Sequence, residues 1–171
     1  MIKRIAIIGP ESVGKSKLTR ELANWYQTNF VDEYGKIIYE KNGYKISQQD
    51  SISIYEGRQS LEDWAIKKSN RLIFCDTEDI TTYLLLKMKS NIWIDEQDEW
   101  FLKKISEKEK YDLYILLKPD FGNKNLLVRE QHYNKIKNEL ISRECNFVEI
   151  GGEWKERFDE SIVKIKLNFD I

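Results

Sequence analysis

Eight consecutive residues, Gly9-Pro10-Glu11-Ser12-Val13-Gly14-Lys15-Ser16, match GxxxxGK[ST] at every fixed position. The two glycines let the chain wrap closely, so that successive backbone N–H groups point inward at phosphate oxygens. A helix opening near Lys15 adds its positive end to that cradle. Lys15 can reach the β- and γ-phosphates of a nucleoside triphosphate, and the Ser16 hydroxyl suits a magnesium ligand. A glycine-containing turn before a surface helix could carry the same letters. Here a buried strand precedes them and an amphipathic helix follows, which is the context the chemistry requires. Gly9, Glu11, Ser12, Val13, Gly14, Lys15, Ser16 and Lys17 are therefore the expected nucleotide-holding set.

Carboxylates come next. Asp76 closes the apolar run Leu72-Ile73-Phe74-Cys75, at the carboxyl end of a strand, where open α/β sheets bind their ligands. It is expected to hold Mg²⁺ with Ser16, directly or through water, with taking the acceptor's hydroxyl proton as the other catalytic role. The plainer alternative is an Asp that caps the helix starting at Thr77. Asp32 and Glu33 follow a shorter strand in the same way and are candidates to face the phosphate acceptor; a solvated turn is their alternative. A GTPase reading fails on two counts. Asp76 is followed by Thr77-Glu78-Asp79 rather than by a DxxG pattern, and Asn123-Lys124-Asn125-Leu126 lacks the Asp that would pair with guanine. Sensor and finger motifs of motor ATPases are also missing.

These residues need a scaffold that puts strand ends and loops on one edge. Ile5 to Gly9 reads as a buried strand, and Lys15 to Gln27 as a helix with Leu18, Leu22, Ala23 and Tyr26 at helical spacing. Phe30 to Glu33 is a short strand, Tyr34 to Glu40 a short helix stopped at Asn42-Gly43, and Ser47 to Ser69 a helix that Ser47 can cap. Leu72 to Cys75 is a strand; Thr77 to Met88 and Ile94 to Ile105 are helices; Tyr111 to Leu117 is a strand closed by Pro119. A polar loop, Asp120 to Asn125, leads to a helix over Leu127 to Arg143, a strand over Phe147 to Ile150 and a last helix over Trp154 to Leu167. Strands alternating with longer helices mean βα units and a mainly parallel sheet. The expected fold is one α/β domain over residues 1–171, a P-loop NTPase-type parallel sheet of about five strands flanked by helices.

Composition narrows the partners. The 28 Lys and Arg nearly balance the 29 Asp and Glu, which argues against a general nucleic-acid coat. Cys75 and Cys145 cannot form a disulfide framework, and neither has a second Cys or His at metal-ligand spacing. The opening apolar run is too short for a signal segment, and no stretch approaches the length of a membrane span. A cytoplasmic protein with neither nucleic-acid nor membrane partners is expected; the residues carry no mark of an oligomeric state. The single His132 lies in a polar amphipathic helix and is read as a surface residue.

Taken together, the motifs resemble the ribosylnicotinamide kinase domain of the NadR-type proteins. GPESVGKS matches that family's GxESxGKS, with Glu11 and Ser12 going beyond the generic pattern. VDEYGKIIYE is similar to its V-x-E-Y-A-R segment, keeping Glu33 and Tyr34 with Lys36 in the Arg place. RLIFCDTEDITT resembles FxDTDxxxT through Asp76, Thr77 and Thr82, with Glu78 for the second Asp, and Gln59 falls where the family often carries Gln. YDLYILLKPD resembles YDLYLLxxPD. After it the chain is shorter than the family pattern: Phe121 stands near a Trp place, Lys124 replaces the first lid Arg, and Arg129 can serve as the second.

The resemblance implies an ATP- and Mg²⁺-dependent kinase of a small nucleoside, phosphorylating nicotinamide riboside to NMN. It implies Lys15, Asp76, Glu33, Lys124 and Arg129 as the catalytic set, with Ser16 and Asp76 holding the metal. Glu33 would anchor ribose hydroxyls, and Lys124 and Arg129 would close over the transferred phosphate from a short lid at about 120–130. By analogy, Gly151-Gly152 with Arg157 would lie beside the adenine. One histidine cannot make the HxGH motif of a second, nucleotidyltransferase activity. Another nucleoside or deoxynucleotide kinase, or a non-catalytic ATP-binding regulatory module, are the alternatives.

Overall fold

Ile5, Ala6, Ile7 and Ile8 are all fully buried, and four consecutive buried residues call for a strand covered on both faces. They make up most of β1 (Lys3–Ile8), the central strand of the computed structural model, which describes residues 1–42, 47–81, 84, 111–120 and 125–171. With β2 (Phe30–Val31), β3 (Leu72–Asp76), β4 (Leu113–Leu117) and β5 (Phe147–Ile150) it forms a five-stranded sheet in the order β2-β3-β1-β4-β5. Every neighbouring pair is parallel.

Alternate residues of β1 divide the core in two. Ile5 and Ile7 pack with Leu18 and Leu22 of α1 (Lys15–Trp25) and Ile165 of α5 (Trp154–Phe169). Ala6 and Ile8 belong to the opposite cluster, with Ala65 of α3 (Gln48–Ile66) and Ile136 and Leu140 of α4 (Leu126–Ser142). The short α2 (Tyr34–Lys41) rests against α3. Burying each large aliphatic side chain contributes about 1.5–3 kcal/mol, so packing on the sheet, rather than helix propensity, holds these helices.

Local signals set the helix ends. Ser47 Oγ accepts from the Asp50 backbone N–H at 3.1 Å while the Asp50 carboxylate accepts from Ser47 N–H at 2.9 Å, a reciprocal box that starts α3 as its sequence predicts. Strand boundaries shifted where burial took over: β3 includes Asp76, β4 starts at Leu113 rather than Tyr111, and β2 keeps only two residues. Asp79–Thr81 begin the helix expected after β3. The rest of that helix, the one expected over 94–105, Thr82, and Phe121 to Lys124 lie outside the described residues.

The strand order positions the site. The chain builds β1, moves out to β2, returns to lay β3 beside β1, and then crosses to β4 on the other edge of β1. Strand order therefore reverses at β1, which opens a crevice outside the carboxyl ends of β1, β3 and β4. Residues 9–16 follow β1, Thr77 follows β3 and Lys118 follows β4, so the connections after these three strands meet there.

Candidate active site

The loop after β1 is bent by left-handed residues. Gly9 has φ 145°, and a Cβ on it would come within 2.9 Å of the Leu117 carbonyl oxygen. Ser12 at φ 60° and Gly14 at φ 88° continue the curve, turning successive N–H groups to one side. Val13, fully buried, anchors the loop in the core. At Gly14 a Cβ would stand 2.7 Å from Cζ3 of Trp154, so the indole closes the back of the loop.

No side chain caps α1, and its first turn holds no acid. Its leading N–H groups thus remain available to an anion, at the end of the helix whose dipole favours one. Lys15 arches back so that Nζ donates to the Pro10 carbonyl at 2.9 Å, placing its ammonium over the concave side. These features are what the binding of a chain of phosphates requires.

Asp76 lies next to this cradle because β3 pairs Asp76 with Ile7. Its carboxylate is buried, accepts from the Thr77 hydroxyl at 3.5 Å and lies beside the Ser16 hydroxyl. Burial pushes the Asp76 pKa up, against the pull of the Ser16 hydrogen bond and the Lys15 charge. The chain turns away at once: Thr77 has φ 67° and donates its N–H to the Ile7 carbonyl at 3.0 Å. Capping of the next helix falls to Glu78, whose carboxylate accepts from the N–H groups of Ile80 at 2.7 Å and Thr81 at 2.8 Å. Asp76 is therefore not the cap, and the plainer reading of this residue is set aside. A Ser hydroxyl and a carboxylate, both hard oxygens, fit Mg²⁺, which keeps several waters and takes one or two protein oxygens alongside phosphate.

Glu33 stands at the N-cap position of α2. Burial raises its pKa, the nearby Lys15 charge lowers it and Asp76 raises it further, so Glu33 shares one field with both. Asp32 points to the surface instead, in a fork with Arg20 whose Nη2 approaches Oδ1 at 2.8 Å. The structure thus brings Lys15, Ser16, Asp76 and Glu33 together. Arg129 is buried in the first turn of α4 rather than carried on an exposed loop, and its charge helps to depress the pKa of Arg157, which burial lowers most. Lys124 lies outside the described residues.

One expectation needs correction. His132 is not a surface residue: only 5% of it is exposed, because it falls in phase with Arg129, Tyr133 and Ile136 on the inner face of α4. Arg157, expected beside the adenine, is completely buried, with Nε donating to the Gly152 carbonyl at 2.7 Å. Sequence reasoning also missed a buried network in which Arg58 donates to Asp79 at 3.0 Å, to Tyr111 at 2.6 Å and to Glu62. The signal was present in each helix. Arg58 and Glu62 lie in phase with buried Ile54 and Ala65, and Arg157 with Ser161 and Ile165; a charge on a core stripe marks a paired interior group.

Comparison with known proteins agrees with this geometry. A family model described as an AAA domain matches residues 4–157. The chain is 32% identical over 120 residues to the trifunctional NAD biosynthesis/regulator protein NadR of Escherichia coli (strain K12), a match covering 68% of this chain and 28% of that protein. NadR of Salmonella typhimurium (strain LT2) is 31% identical over the same coverage, so the chain spans less than a third of the length of either relative. Among solved structures, NadR protein in complex with NR superposes with a TM-score of 0.81 at 19% identity, covering 99% of this chain and 52% of that one. Deoxyadenosine kinase from M. mycoides gives 0.73 at 13% identity, covering 96% of this chain and 99% of that one. Thymidylate kinase from Candida albicans gives 0.69 at 16% identity, covering 99% and 92%. The structural likenesses establish the fold, a parallel five-stranded sheet flanked by helices.

Proposed function

Because this chain belongs to the AAA domain family, we propose that it is an ATP- and Mg²⁺-dependent kinase that phosphorylates nicotinamide riboside to NMN, with residues 1–171 acting as one kinase domain. The observation that carries the reading is the junction at the ends of β1 and β3. There the Ser16 hydroxyl lies beside Asp76, and the Lys15 charge acts on both Asp76 and Glu33. The substrate follows from the sequence likeness to NadR and from the motifs around Glu11, Glu33 and Asp76.

The loop N–H groups, the open end of α1 and Lys15 would hold the β- and γ-phosphates and stabilise charge that grows in the transition state. Mg²⁺, when bound, would neutralise phosphate charge, and Ser16 and Asp76 are the residues that would hold it. With Asp76 so engaged, Glu33 is left to take a hydrogen bond from the acceptor. The acceptor hydroxyl oxygen forms the new bond to the γ-phosphorus, the bond from phosphorus to the β–γ bridging oxygen breaks, and ADP leaves. The hydroxyl proton passes to Glu33. Arg129 and Lys124 are proposed to meet the transferred phosphate from the 120–130 segment.

No described helix is long and apolar enough to cross a membrane, and the cytoplasm is the proposed setting.

The test is to incubate the purified chain with Mg-ATP and a nucleoside panel that includes nicotinamide riboside, with Lys15→Ala as control, measuring ADP and product. NMN formed by the wild type and lost in the control is the expected result. Turnover of a different nucleoside would replace the acceptor. Slow ATP hydrolysis regardless of acceptor would instead mark a regulatory ATP-binding module.

A further inference from the structure

Arg157, on the first turn of α5, is fully buried beneath the crevice and reaches three separate loops. Its Nε donates to Gly152 O at 2.7 Å, Nη1 to Val13 O at 3.4 Å and Nη2 to Lys118 O at 3.2 Å. Nη2 also pairs with Asp120 Oδ1, and Asp120 Oδ2 accepts from the Gly152 N–H at 2.8 Å. The loops after β1, β4 and β5 are thus tied to one guanidinium, with Asp120 and Gly152 closing a ring around it. Trp154, one helical turn earlier on the same face of α5, presses on Gly14 of the same phosphate loop.

We propose that Arg157 is a positioning residue for the nucleotide: with Asp120, it sets the curvature of the phosphate loop from behind, through the Val13 carbonyl. Arg157 is fully buried while the side chain of its partner Asp120 is exposed, and taking a charge to this depth costs free energy that a well-packed apolar side chain would not, so stability alone gives no reason for a guanidinium here. What the guanidinium supplies is a rigid planar fork that serves acceptors in several directions at once, which an ammonium cannot reproduce. The left-handed residues of the loop hold a strained path, and a carbonyl fixed from below keeps the opposing N–H groups aimed at the phosphates.

This inference rests on the kinase reading for its kinetic form, but it can be tested by binding alone. AMP-PNP would be titrated calorimetrically into the full chain as wild type, Arg157→Lys, Asp120→Asn and the double variant, with steady-state kinetics on the same proteins. Arg157→Lys is expected to weaken AMP-PNP and raise the KM for ATP by about tenfold, as small misplacements do, and to leave the KM for nicotinamide riboside unchanged. Asp120→Asn is expected to act in the same direction, and the double variant to be no worse than Arg157→Lys alone, because both act through one ring.

A merely structural role would reduce the folded fraction. That lowers apparent kcat but leaves AMP-PNP affinity and both KM values of the surviving protein unchanged, and this result would overturn the proposal. Should Arg157→Lys not fold, Asp120→Asn decides by the same split. Wild-type protein that binds AMP-PNP yet phosphorylates no nucleoside would sink the kinase reading, while the AMP-PNP affinities of the variants would still judge Arg157.

Discussion

The Asp76 carboxylate, at the end of β3, lies beside the Ser16 hydroxyl in the first turn of α1, close enough for that hydroxyl to favour its charged form. Residues far apart in sequence are joined there because β3 lies beside β1 in parallel register, with Asp76 opposite Ile7. The contact puts an ionisable group in the interior at the very point where a phosphate-bound metal has to be held.

Asp76→Asn should therefore separate activity from stability. Burial raises the Asp76 pKa in the folded chain, so this residue favours folding while protonated, and that contribution is lost as pH rises through the raised value. At neutral pH the variant should unfold at a higher temperature than the wild type, with the gap closing in acid. Turnover should fall by about 10²–10³-fold, typical of losing one electrostatic stabiliser. Thermal unfolding at several pH values together with kcat checks both; a variant less stable at pH 7 would contradict the assignment.

The pH–rate profile should carry the mark of two carboxylates. Glu33 and Asp76 both have raised pKa values, and each has to be ionised to work. The rate should therefore fall on acidification at a higher pH than ordinary carboxylates would give, with a slope approaching two protons. Glu33→Gln should lower kcat by about 10²-fold or more and flatten that limb toward one proton. A slope unchanged by the substitution would remove Glu33 from the reaction.

Gly57 sits in the middle of α3, where Ala would normally stabilise a helix by about 1 kcal/mol. Here a Cβ would meet the Tyr34 ring, and the Tyr34 hydroxyl lies 2.8 Å from that position. Gly57→Ala should accordingly lower the unfolding temperature rather than raise it, and raise the KM of the acceptor by disturbing the turn that carries Glu33. The penalty should vanish in a Tyr34→Ala background, which a double-mutant cycle reads directly.

Asp79→Ala should be among the most destabilising single changes. It leaves the fully buried Arg58 short of a carboxylate, and burial already works against that charge, while Tyr111, Asp79 and Glu62 together hold its pKa well above the usual value. Breaking a buried pair from one side costs about 3–5 kcal/mol. Denaturant unfolding would measure this; a loss near zero would mean that the network relaxes.

The sequence by itself determined a good deal. The bend of the loop over residues 9–16, its strand-before and helix-after context and the parallel α/β class were all readable, because each rests on neighbours within a few residues. Spacing of two or of three to four residues reports local geometry directly.

Tertiary structure decided the rest. That Glu78 caps the helix and releases Asp76, that His132 is interior, and that Arg157 braces the phosphate loop from beneath all depend on partners brought in by the sheet order. A charged side chain looks the same in sequence whether it meets water or a distant carbonyl. Only the packing of α5 over β4 and β5 turned Arg157 inward, where desolvation makes its hydrogen bonds to Val13, Lys118 and Gly152 obligatory.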